Sequence, residues 1–163
     1  MSFSFNANEV FEMAKRIERN GARFYRQAAG MMSDPSVKQR LLKLASMEDG
    51  HELIFENIEK ELLPGETEET VFDPDAEAAA YLKALADHRV FIREPEALLK
   101  GKNTLREILQ EALKLEKESV LFYTGMKLLV PENLGKKEIE LLIIEEMSHI
   151  AMLGKELGEL KQQ

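Results

Sequence analysis

Two Glu-x-x-His motifs are the residues of this sequence whose types and spacing most clearly allow chemistry: Glu48 with His51, and Glu146 with His149. Side chains three residues apart lie on the same face of an α-helix, so each pair can address one centre. A carboxylate and an imidazole on one face suit a divalent metal ion. One such pair would also fit a buried Glu–His hydrogen bond, but two pairs in one chain favour a metal site.

Both motifs interrupt apolar helical stripes at positions that should face a core. Leu44 and Phe55 flank the first motif, and Leu142 and Leu153 flank the second, at helical spacing. Burying a carboxylate is unfavourable unless it is paired or bound to a metal ion. The stripes therefore predict that the polar pairs point into the interior and meet compensating groups there.

Two further glutamates and two tyrosines supply a second kind of repeat. Glu18 is followed seven residues later by Tyr25, and Glu116 by Tyr123, so each pair lies two turns apart on one helix face. One offset of 98 residues relates Glu18 to Glu116, Tyr25 to Tyr123, Glu48 to Glu146 and His51 to His149. We interpret this as two similar helical hairpins related by an approximate two-fold axis, each supplying half of one site.

The combined set of four carboxylates and two imidazoles indicates a metal centre. Four negative charges need compensation, which divalent cations would supply. Hard oxygen donors mixed with imidazole suit iron or manganese, with zinc as a possible substitute.

Helical periodicity covers almost the whole chain and predicts four long helices near residues 7–31, 35–62, 103–129 and 132–160. Short links make the first two and the last two antiparallel hairpins. Roughly forty residues separate the second helix from the third, and a short helix is expected within them at 75–88. The predicted fold is all-α: a four-helix bundle with one long crossover that contains a short helix.

The composition limits the class of protein. With 44% hydrophobic and 32% charged residues, the 163-residue chain is expected to form one globular domain over residues 1–163. The absence of cysteine excludes disulfides, thiolate catalysis and cysteine-ligated metals within this chain. A net charge of −8 argues against nucleic acid as a partner. No signal peptide or long apolar run is evident, so we expect a cytoplasmic protein without membrane contact.

The sequence resembles the rubrerythrin branch of the ferritin-like superfamily. The segments that carry the resemblance are 18–25, 48–51, 116–123, 146–149 and, in the crossover, 80–85. The resemblance implies a ferritin-like bundle with two iron ions between its helices. It also implies a role for each matching residue: Glu18 and Glu116 as terminal ligands, Glu48 and Glu146 as bridges, and His51 and His149 as the ligands that complete each metal's shell.

By the same resemblance, Tyr25 and Tyr123 would act on the chemistry indirectly, by donating hydrogen bonds that orient ligand carboxylates. They fit equally well as core tyrosines without a functional role. Two neighbours of the motifs are assigned no role. Glu118 lies about 200° around the helix from Glu116 and is expected to face solvent. Glu145 has Met47 as its repeat partner, so Glu146 is preferred as the ligand.

The resemblance further implies a redox enzyme that reduces peroxide, or dioxygen, at the di-iron site. The chain has no rubredoxin domain, so electrons would come from a separate donor such as a rubredoxin-like protein, and a homodimer is expected. Ser119 departs from the family, because rubrerythrins carry there a glutamate that exchanges with a histidine on oxidation. We therefore expect a near-symmetric site in which both histidines stay bound. The alternatives are a ferritin-like ferroxidase for iron handling and a bundle that metal ions only stabilise.

Overall fold

The computed structural model describes residues 7–61, 77–87, 93–130, 132 and 135–160, and these ranges contain helices and no β-strand. The helices are α1 (Ala7–Met31), α2 (Pro35–Glu61), α3 (Glu77–Asp87), α4 (Pro95–Leu99), α5 (Leu105–Leu129) and α6 (Lys136–Leu160). In these ranges, no helix combines the length and the apolar character needed to cross a bilayer.

Local capping explains where two of the long helices begin. The Asp34 carboxylate accepts hydrogen bonds from the backbone N–H groups of Ser36 at 2.8 Å and Val37 at 3.1 Å, at the start of α2. At the start of α5, the Thr104 hydroxyl accepts from the backbone of Glu107, whose side chain accepts from the Thr104 backbone. Both arrangements satisfy N–H groups that have no partner within the helix.

The four long helices form two hairpins, with α1 packed along α2 and α5 along α6. This confirms the predicted all-α ferritin-like bundle. Within the crossover, α3 packs against α5, and its bounds fall close to the short helix expected at 75–88. The structure also contains α4, a helix that was not predicted from the sequence. The Arg23 guanidinium of α1 forms salt bridges with the carboxylates of Glu94 at 2.8 Å and Glu96 at 2.9 Å, and these hold α4 against α1.

Two apolar clusters fill the bundle, and each draws on all four long helices. Buried side chains near one end include Phe11, Phe55, Phe122 and Ile139. Near the other end they include Phe24, Leu41, Ile108 and Leu153. Along each long helix the predicted polar site residues fall between its members of one cluster and of the other. A polar layer therefore crosses the bundle between two apolar layers.

The contact between α3 and α5 depends on a glycine. A Cβ atom at Gly125 would lie 2.6 Å from the ring of Tyr81 and 3.0 Å from Leu82. The Tyr81 hydroxyl donates a hydrogen bond to the carbonyl of Leu121 at 2.8 Å, which fixes the ring over α5. Gly125 thus allows the crossover helix to approach the bundle closely.

We expect Gly125→Ala to lower the free energy of unfolding by about 1–3 kcal/mol, because the added methyl group overpacks this contact. Gly154→Ala is the matched control, since a Cβ atom there meets nothing within 4 Å. The control should raise the free energy of unfolding by about 0.5–1 kcal/mol through helix propensity alone. Urea denaturation of both variants measures the difference, and equal effects would mean that α3 does not hold this position.

Candidate metal centre

The polar layer contains all six residues for which the sequence predicts metal binding. Each is at least 97% buried: Glu18, Glu48, His51, Glu116, Glu146 and His149. Each long helix supplies one glutamate, and α2 and α6 add the histidines. The three-residue spacing directs both members of each Glu-x-x-His pair inward.

The six side chains form two overlapping groups that could each hold a metal ion. Position 1 is the group Glu18, Glu48, His51 and Glu146. Position 2 is the group Glu48, Glu116, Glu146 and His149. Within each group the candidate ligand atoms lie within 4.8 Å of one another. Glu48 and Glu146 belong to both groups, which matches the bridging role that the resemblance implies; the role itself stays a prediction.

The pattern of unpartnered atoms tests whether metal ions fit. Seven buried side-chain atoms of the cluster lack a hydrogen-bond partner among the described residues: Glu18 Oε2, Glu48 Oε1, both carboxylate oxygens of Glu146, Nδ1 of His51, and both ring nitrogens of His149. Buried polar atoms are nearly always paired, so such a concentration needs an explanation. All seven are metal-ligating atom types, and two divalent cations between them would satisfy the set.

Without metal, protons balance the charge of the cluster. Burial alone would lower the pKa of His51, but the nearby carboxylates of Glu146 and Glu18 raise it to about 11. Burial alone would likewise lower the pKa of His149, but the nearby carboxylates of Glu116 and Glu146 raise it to about 9. Burial and the neighbouring Glu146 raise the pKa of Glu116 to about 8. A divalent cation would take the place of these protons.

The two tyrosines cross between the halves of the bundle. The Tyr25 hydroxyl donates to the carboxylate of Glu116, and the Tyr123 hydroxyl donates to that of Glu18. Burial, followed by the nearby carboxylates, raises the pKa of both phenols, so they stay protonated donors. Each tyrosine therefore orients the predicted terminal ligand that the other half supplies.

We expect Tyr123→Phe to weaken metal binding about 10–100-fold, because an oriented ligand carboxylate loses its hydrogen bond. The ring is fully buried, and phenylalanine keeps its packing. Tyr81→Phe is a control that removes a hydroxyl bonded to backbone, away from the cluster. Competition with a coloured chelator measures the affinities. Unchanged affinity in Tyr123→Phe would favour the interpretation of Tyr123 as a core residue only.

A small cavity reaches the cluster between α1 and α5. Its volume is about 30 Å³, enough for one or two water-sized molecules. The wall includes Gly21, Glu48, Glu116, Glu118 and Ser119. Gly21 keeps the space open, since a Cβ atom there would lie 3.1 Å from Glu48 Oε2. The Ser119 hydroxyl donates to the carbonyl of Leu115 within its own helix, at 3.1 Å.

Glu118 corrects one expectation from the sequence. It was expected to face solvent, but it is partly buried and lines this cavity. Burial, with repulsion from Glu111, raises its pKa to about 7. Leu98 of α4 and Arg93, which precedes α4, line the same cavity. The crossover therefore covers the face of α5 that carries Glu118.

Glu145 is the contact that sequence reasoning missed. Its Oε2 lies 2.8 Å from Nε2 of His51, although half of the Glu145 side chain is exposed. The repeat favoured Glu146 as the ligand, so Glu145 was assigned no role. A signal was present: Glu145 is a carboxylate next to a predicted ligand, where the repeat partner Met47 is apolar.

Comparisons with known proteins support the fold. No protein-family model matches the chain, and no curated protein does either. Among solved structures, the chain is similar to a protein from Thermotoga maritima described as ferritin-like and diiron-carboxylate. The TM-score is 0.70 at 23% sequence identity, and the match covers 98% of this chain and 99% of the other. The chain therefore has the ferritin-like fold along almost its whole length.

Proposed function

We propose that this chain is a non-haem di-iron protein that reduces peroxide at a carboxylate-bridged metal pair. The observation that carries the proposal is the pair of overlapping groups, which share Glu48 and Glu146. The two shared carboxylates would hold two cations together, and such a pair could act jointly on an oxidant with two oxygen atoms. The description of the structural neighbour as a diiron-carboxylate protein supports iron as the metal.

The chain's own residues would bind the ions, orient the ligands and restrict access. Tyr25 and Tyr123 hold the carboxylates of Glu116 and Glu18 in place. The small cavity beside Gly21, of about 30 Å³, has room for a molecule of the size of water or hydrogen peroxide. When bound, the ferrous pair would supply two electrons that, with two protons, convert one hydrogen peroxide to two water molecules.

Further features of this proposal come from the resemblance to rubrerythrins. The physiological reductant would be a separate electron donor, such as a rubredoxin-like protein, because the chain has no cysteine for a rubredoxin centre of its own. The chain would act as a homodimer in the cytoplasm. Surface charge supports a basic donor, since the net charge of −8 would attract it.

The test compares two oxidants on the reduced, iron-loaded protein. We expect hydrogen peroxide to oxidise the iron faster than dioxygen does, by stopped-flow absorbance under matched oxidant concentrations. The metal-free protein mixed with each oxidant is the control for the absorbance change. Oxidation by dioxygen at an equal or higher rate would contradict the peroxidase proposal and favour a ferroxidase that handles iron.

A further inference from the structure

The two halves of the site differ in what holds each histidine. Nε2 of His51 lies 2.8 Å from Oε2 of Glu145, whereas Nε2 of His149 is buried and has no hydrogen-bond partner among the described residues. Met47 occupies the repeat position of Glu145 and offers only a thioether. The expected near-symmetry of the site therefore fails at its histidines.

An acceptor on Nε2 has a direct consequence for metal binding. In the metal-bound state Glu145 would accept a hydrogen bond from the Nε2–H group of His51, and the lone pair of Nδ1 would face the cluster. That Nδ1 lies 2.8 Å from Glu146 and 3.4 Å from Glu18, both members of position 1. A carboxylate behind a ligand histidine fixes the ring and makes the imidazole a stronger donor. His149 must reach the same state without such support.

The two metal positions also differ in how directly the small cavity reaches them. The cavity wall includes Glu48 and Glu116, which are members of position 2. Position 1 has one member in the wall, the shared Glu48, because neither Glu18 nor His51 lines the cavity. The histidine whose Nε2 has no carboxylate partner among the described residues thus belongs to the position with more ligands at the cavity wall.

We propose that Glu145 is a positioning residue that makes position 1 the tighter of the two metal positions, so that a divalent cation fills position 1 first and exchanges at position 2. The proposal rests on the proposed di-metal function and deepens it. It assigns a role to a residue outside the six predicted ligands. It also makes the two halves inequivalent although their ligand types are the same.

The test is a cobalt(II) titration of chelator-stripped protein, followed by absorbance and by proton NMR. We expect two ions to bind in two steps, the first at least about tenfold tighter than the second. The first ion should produce a paramagnetically shifted, slowly exchanging N–H signal, because the His51 Nε2 proton is held by Glu145. That signal reports on the hydrogen bond itself and not on folding.

Glu145→Met copies the residue found at the repeat position and should weaken the first step about 10–100-fold while keeping two ions per chain. It should also make the shifted N–H signal exchange quickly. Glu145→Gln keeps an acceptor oxygen without the charge and should restore the slow signal. Glu138→Met is the matched control, an exposed glutamate two turns earlier on α6, and should leave both steps unchanged.

The reverse substitution tests the same idea from the other half. Met47→Glu places a carboxylate at the repeat position, and we expect it to strengthen the second step and reduce the difference between the steps. Equal steps in the wild-type chain, or an unchanged first step in Glu145→Met, would overturn the inference but leave the di-metal site intact. Failure of the wild-type chain to bind any cobalt would instead overturn the proposed function.

Discussion

The Glu146→Ala variant is expected to retain little or no metal under conditions in which the wild-type chain binds two ions. Glu146 belongs to both candidate groups, and neither of its buried oxygens has a hydrogen-bond partner in the described structure. Removing it takes a ligand from each position at once. It also leaves His51 and His149 without their shared carboxylate, so both sites should fail together.

Metal analysis after anaerobic incubation with ferrous iron and gel filtration measures this loss. Glu48→Ala should behave in the same way, because Glu48 is the other shared carboxylate. Glu138→Ala, an exposed substitution on the same helix as Glu146, is the control and should keep both ions. Two bound ions in both Glu48→Ala and Glu146→Ala would contradict the bridging assignment.

The four Glu-x-x-His residues were predictable from the sequence because both motifs interrupt apolar stripes, and Glu18 and Glu116 were predictable from the repeat at an offset of 98 residues. A helix with Leu44, Glu48, His51 and Phe55 on one face must either bury the polar pair or expose the apolar residues. The same pattern recurs 98 residues later, so a chance exposure of apolar residues on one helix does not explain it. Periodicity and repetition thus gave the helices and the layer in which the polar groups meet.

Contacts between helices could not be predicted in the same way. Periodicity states which face of a helix is buried, but it does not state which residue of another helix lies opposite. Glu145 and His51 belong to different halves, and the repeat compares halves without describing the contact between them. The tyrosine hydrogen bonds, which also cross between halves, were expected as a type, but their partners Glu116 and Glu18 were not specified.

Glu118 shows a second limit, set by the crossover. Its angle around α5 correctly separates it from the face of Glu116 that points into the bundle. The helical wheel assumes solvent on that side, but Leu98 of α4 and the neighbouring Arg93 lie over the cavity that Glu118 lines. Because α4 was not predicted from the sequence, no predicted element could cover Glu118.

Metal binding is expected to release protons and to become tighter as the pH rises from about 6 to about 9. At neutral pH the metal-free cluster holds protons on His51, His149 and Glu116, whose pKa values are raised to about 11, 9 and 8. Burial and the neighbouring carboxylates also raise the pKa of Glu48 well above its usual value. Metal ligation requires neutral imidazoles and ionised carboxylates, so these protons must leave.

The sign and size of the pH effect follow from this proton count. Each displaced proton makes binding about tenfold tighter per pH unit while the pH lies below the pKa of its group, and the gain stops above that pKa. Loading both positions at neutral pH should therefore release roughly three protons from His51, His149 and Glu116, and up to about one more from Glu48. Titration with zinc(II) in weakly buffered solution with an indicator dye counts them, and Glu146→Ala serves as the control without a metal site. Release of less than one proton per two bound ions would contradict the charge balance derived for the metal-free cluster, because the carboxylates would then be ionised around neutral histidines.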